Sequence, residues 1–131
     1  MALFLVHGEC KISVEGSLLV IDVVGPWNLE FFDHLHQELA TAAKQLTTKD
    51  YSVLLIPRGE AIAVNQAKEL HVEFIKRRRP KAVAIVLKYC SSASITQDMC
   101  TRIYKIAGIE HEFFEDELQA RTWLQKYTPA N

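Results

Sequence analysis

Between Glu9 and Glu15 the apolar positions Cys10, Ile12 and Val14 alternate with Lys11, Ser13 and Glu15. Strict period-two alternation is the signature of a strand with one wet face. Gly16-Ser17 then leaves room only for a tight turn before Leu18–Val24, a run so nearly all apolar that it is predicted to be buried on both faces. A two-residue connection pairs its strands antiparallel, so the chain is expected to open with a hairpin whose first strand is a sheet edge. After it the pattern changes. The apolar runs Tyr51–Ile56, Lys81–Leu87 and Glu112–Phe114 alternate with stretches of helical period. Parallel neighbours need such helical crossovers. The expected architecture is therefore a single α/β domain over residues 1–131: a mostly parallel mixed sheet of about five strands, an N-terminal antiparallel hairpin and four helices.

The helices announce themselves by stripes and caps. Phe32, Leu35, Leu39, Ala42, Ala43 and Leu46 share one stripe behind Asn28, a good N-cap, while Phe31 falls off that stripe and is expected to be exposed. A second helix is predicted from about Ile62 to Arg78, with Val64, Ala67, Leu70, His71 and Phe74 inward, stopped by Pro80. Ser94 with Gln97 reads as a capping box for a third helix that ends at Gly108. Asp116 caps a fourth, with Ala120, Trp123, Leu124 and Tyr127 inward, ahead of a frayed tail, Thr128 to Asn131.

Composition adds exclusions more than assignments. The 131 residues are 49% apolar and 24% charged, which disfavours disorder. A net charge of −1 provides no global field for nucleic acid or an anionic membrane. The cysteines, Cys10, Cys90 and Cys100, are odd in number and form no CxxC pair, so neither a disulfide framework nor a zinc site is expected. The apolar run Met1–Val6 is short and lacks a basic n-region, and no stretch reaches the ~18 apolar residues of a spanning helix. A cytoplasmic location follows as the expectation, with no membrane span, no cofactor and no nucleic-acid partner.

Hairpin first, then strand–helix units in succession: this order, over nearly the whole chain, resembles the STAS domain of anti-sigma-factor antagonists, and most closely its SpoIIAA-like branch of small bacterial proteins. The C-terminal stretch Glu112-Phe-Phe-Glu-Asp-Glu-Leu-Gln-Ala-Arg-Thr-Trp-Leu124 looks like that branch's ending, a strand with paired Phe, an acidic turn and a helix with Trp-Leu. The resemblance implies a regulatory or protein-interaction module. In phosphorylatable STAS proteins an Asp-Ser-Ser-Gly type turn follows the strand equivalent to Tyr51–Ile56 and presents a serine at a helix N-terminus, where backbone N–H groups hold phosphate. Here that turn is Pro57-Arg58-Gly59-Glu60-Ala61, without Ser or Thr. The phosphoswitch is not carried over. The SpoIIAA-like branch is also similar in fold to the CRAL-TRIO lipid-transfer domains, which by analogy makes a small apolar or lipid-like ligand the alternative to an unknown protein partner.

The candidate binding residues lie where strand ends meet helix starts, the ligand edge of open α/β sheets. Arg58, Gly59 and Glu60 follow one strand; Cys90, Ser91, Ser92 and Ser94 follow the next. No catalytic set is expected: the five histidines form no metal or triad pattern, and no Walker A or GxGxxG motif occurs. An enzyme resting on Cys90 or His71 is the weakest reading. The basic run Lys76, Arg77, Arg78, Arg79 and Lys81 either complements a helix C-terminus or meets an anionic partner. The edge strand and the Phe31 surface make a homodimer possible.

Overall fold

The computed structural model describes residues 8–127; the Met1–Val6 run, His7 and the tail Thr128–Asn131 lie outside the described residues. Strands β1 (Glu9–Glu15), β2 (Leu18–Val24), β3 (Ser52–Arg58), β4 (Val83–Val86) and β5 (His111–Phe114) form a sheet in the order β1-β2-β3-β4-β5. β1 and β2 pair antiparallel through the Gly16-Ser17 turn, and the remaining pairs are parallel. Helices α1 (Leu29–Ala43), α2 (Asn65–Arg78) and α3 (Ala93–Ala107) connect successive parallel strands, and α4 (Glu117–Leu124) follows β5.

Period-two alternation sorts the strand residues onto two cores. Leu19, Ile21, Val53, Val83 and Ile85 face α1 and α3 in the larger core, which Phe31, Phe32, Leu35, Met99 and Ile103 complete. Val20, Leu54, Ile56 and Val86 face the other way, under α4, where Ala82, Ala84 and Ala120 are fully buried. Three alanines let α4 approach the sheet closely while Leu124 fills the remaining space.

Several expectations change. Phe31 is 1% exposed: α1 lies so that both Phe31 and Phe32 enter the core, Phe31 stacked on Trp27 with ring centroids 5.7 Å apart. The proposed Phe31 surface therefore does not exist. β3 runs on through Pro57 to Arg58, past Ile56. Its pairing with β4 has ended at Leu55–Ile85, so β3 is locally an edge there, a position where a strand tolerates proline. α2 begins at Asn65 instead of Ile62, because residues 59–63 bond elsewhere: the Trp27 N–H donates to the Ile62 carbonyl, and Trp27 bridges Ala63. Its buried residues are Ala67, Val72 and Ile75, while Val64 and Leu70 are exposed. The third helix is capped at Ser92 with no side-chain bond, so the Ser94–Gln97 box is not formed. Asn28 and Asp116 do cap, accepting from the Phe31 and Gln119 N–H groups. Gly108 ends α3 at φ 71°, a left-handed conformation that favours glycine.

Candidate functional site

The carboxyl ends of the strands bring the sequence-predicted residues together. Gly59 and Cys90 form a parallel bridge: the Gly59 N–H donates to the Tyr89 carbonyl at 3.1 Å and the Ser91 N–H to the Gly59 carbonyl at 2.9 Å. Arg58, Gly59, Cys90 and Ser91 thus belong to one braced corner. Thr96, fully buried, adds a cross-tie by donating from Oγ1 to the Ala61 carbonyl at 2.9 Å. Ser94 is exposed on the first turn of α3, and Glu60 is exposed on the loop.

Arg58 and Cys90 at this corner are already committed within the molecule. Arg58 forms a two-pronged ion pair with Asp22 of β2, at 2.8 and 3.0 Å, and its guanidinium lies 4.2 Å from the Tyr89 ring centre. The Asp22 bond raises the Arg58 pKa and holds the guanidinium charged. The Cys90 thiol donates to the Pro57 carbonyl at 3.3 Å. Burial pushes its pKa up against an opposing hydrogen bond with Thr96, the reverse of what a thiolate nucleophile needs. Cys100 is buried among apolar groups and pushed up to about 12.

The basic run is dispersed. Arg79, in a left-handed conformation at φ 36°, turns its guanidinium to the Ala107 and Gly108 carbonyls and so satisfies the end of α3. Lys76 meets Glu73 at 3.7 Å and Lys81 meets Asp50 at 3.6 Å. Arg77 and Arg78 remain on the surface at the C-terminus of α2. The structure splits the expected patch because α2 ends inside it.

Two features went unread in the sequence. His36 of α1 and His71 of α2 are 35 positions apart, yet His36 Nε2 and His71 Nδ1 lie 2.9 Å apart in a hydrogen bond across the helix pair. Phe74 stacks on His36 with ring centroids 4.1 Å apart and planes at 1°. Burial pushes both imidazoles down, His36 to about 4 and His71 to about 3, the latter helped by its neighbour. No spacing rule joins these two histidines, so only the helix packing reveals them.

The second feature is a cavity of about 50 Å³ beneath α2, near the amino ends of the strands. Leu19, Ile21 and Val53 floor it; His71, Phe74 and Ile75 roof it. Around it α2 packs chiefly on α1 and α3. Its lining is almost wholly apolar.

Among the described residues, no group of three or more His, Cys, Asp or Glu side chains is placed to hold a metal ion. Likewise no helix there is long and apolar enough to cross a membrane.

An uncharacterized protein from the DUF3478 family with a SpoIIAA-like fold, from Shewanella loihica PV-4, has a solved structure similar to this chain. The two share 20% identity over 95% of this chain and 98% of the other, with a TM-score of 0.64. No family model matches the chain, and no curated protein sequence matches it. The fold is SpoIIAA-like, as the residue order and the C-terminal ending led one to expect.

Proposed function

We propose that this protein is a non-catalytic binding module of the SpoIIAA-like type, regulating a protein partner without a serine phosphoswitch. One observation carries the reading. At the β3–α2 corner, the place of the phosphoacceptor in the resemblance, stands Arg58-Gly59-Glu60, hydroxyl-free and bridged to the loop after β4. Around that corner Val64, Tyr89 and Ile95 are exposed, Ile95 at 57%. A braced loop edge with apolar side chains standing out of it offers a partner a rigid surface that needs little ordering on binding. The partner is identified by photo-crosslinking in lysate from a probe at Glu60. Val64→Asp and Ile95→Asp are expected to cut its capture at least tenfold; capture unchanged by both would show that the partner docks elsewhere.

A second reading, a carrier or sensor of a small apolar ligand, is favoured by the cavity under α2. Native mass spectrometry compared with the denatured mass tests it through retained small molecules.

A further inference from the structure

We infer that the cavity under α2 and the cleft beside it form one site, which takes a single-chain amphiphile with an anionic head. The inference rests on the carrier reading and adds the chemistry of the ligand.

The cavity and a surface cleft share three residues, Ala43, Tyr51 and Arg78. The apolar space therefore adjoins the cleft at these three residues, which we take as its mouth. There the character changes: Thr47, Thr48, Lys49 and Arg77 join Arg78. Among the described residues, no carboxylate lies within ion-pair distance of Lys49, Arg77 or Arg78, and nearby Asp50 is engaged by Lys81. The bland role for these cations is to neutralise helix ends. α1 and α2 both terminate here, and each contributes roughly half a negative charge. Three cations against about one negative charge leave the mouth positive by roughly two charges.

Arg78 connects the two parts. Its guanidinium stands 5.7 Å from the centre of the Phe74 ring, and that ring roofs the cavity. The Tyr51 hydroxyl donates to the Arg78 carbonyl at 3.0 Å and closes one side of the mouth. Burial pushes that phenol up to about 12, so it adds no negative charge to repel an anion. An anionic head is thus held at Arg77, Arg78 and Lys49 while its chain points toward Phe74, Ile75 and Val53. The cavity itself admits about two water-sized groups. Entry of a longer chain lifts α2, which buries only Ala67, Val72 and Ile75.

The test compares decanoate, decanol and inorganic phosphate by NMR titration of the full chain. Decanoate is expected to shift the signals of Tyr51, His71 and Phe74 saturably, with decanol at least tenfold weaker. Arg77→Gln with Arg78→Gln, both on the surface, is expected to bring decanoate down to the level of decanol. Ala43→Leu, at the mouth, is expected to abolish the shifts while the rest of the spectrum stays folded. Equal binding of decanoate and decanol overturns the anionic head and leaves the carrier reading standing. Shifts from phosphate at the mouth that match those of decanoate, with Phe74 silent, overturn the chain-binding part. Binding that survives Ala43→Leu overturns the location. If none of the three binds, the carrier reading fails with the inference.

Discussion

The two ends of the sheet are built to different rules. At the carboxyl ends of the strands, the loops close on one another: Gly59 bridges Cys90, Thr96 bonds Ala61, and Arg58 is held between Asp22 and Tyr89. At the amino ends, α2 spans an apolar gap, and a tyrosine hydroxyl marks its rim. The ligands of open α/β sheets usually sit at the carboxyl ends, in a crevice where the strand order reverses. Here the order runs β1 to β5 without reversal. Neighbouring crossovers then lie side by side, and the loops at that edge bond to one another. The position of a site in such a fold follows from strand order more than from chain direction.

Four perturbations sharpen the contrast, beginning with the largest. Phe31→Ala removes a fully buried ring stacked on Trp27 and edge-on to Phe32, and is expected to cost about 3–5 kcal/mol in urea unfolding. A loss below about 1 kcal/mol would mean that the carboxyl end is not the better packed one. Gly25→Ala comes next. A Cβ there would collide with the Glu60 carbonyl oxygen, so the two loops must separate, at a cost of about 1–3 kcal/mol. Hydrogen exchange should show the loss of protection spreading from Gly25 to Ala61, with α2 unaffected.

Acid is expected to act on the opposite end. The folded pKa values of His36 and His71, about 4 and about 3, lie below the ordinary 6.5. The folded state therefore binds fewer protons than the unfolded chain throughout that interval, and stability falls as pH drops from 6.5 toward 3. Asp33 pulls His36 upward and Arg77 pulls it down, without reversing the direction. Between pH 7 and pH 4.5 the amides of α2 should lose protection before those of β3 and β4, and His36→Gln should flatten that dependence. Uniform loosening at both ends would remove the histidine pair as its cause. The smallest effect belongs to Asp22→Asn. Its ion pair with Arg58 is partly exposed and contributes about 0.5–1 kcal/mol, with thermal unfolding as the measure. A larger loss would make the pair a main brace of the carboxyl edge.

The strands were legible because burial on one or both faces writes directly into residue alternation. Glu9–Glu15 and Leu18–Val24 are found at the predicted limits. Caps were legible where a short polar side chain reaches its own helix, as at Asn28 and Asp116. Non-local partners were not. Ser94 looked like a cap, but the Thr96 bond to Ala61 draws the first turn of α3 toward the neighbouring loop instead. Phe31 looked exposed because a stripe assumes one buried face, whereas α1 also meets Trp27 from the loop before it. Arg58, Gly59 and Cys90 stand out in the sequence by their place at the sheet edge, and they do meet. The cavity left no mark at all, since an apolar residue facing empty space reads the same as one facing a neighbour.

The strand order also bears on how the chain assembles. Each β-pairing joins elements adjacent in sequence, so a hairpin can form first and each strand–helix unit can dock on its predecessor, with short loops closed before long ones. One contact breaks this progression. Arg121 of α4 reaches Glu15 of the opening hairpin, 106 positions away, while the helix itself lies across β3 and β4. Docking of α4 is therefore the step that needs the rest of the sheet in place, and during synthesis α4 follows all five strands out of the ribosome. Until then Val20, Leu54 and Ile56 stand uncovered on a nascent sheet face, so a pause just before Glu117 would expose the chain to aggregation more than a pause at any of the earlier crossovers.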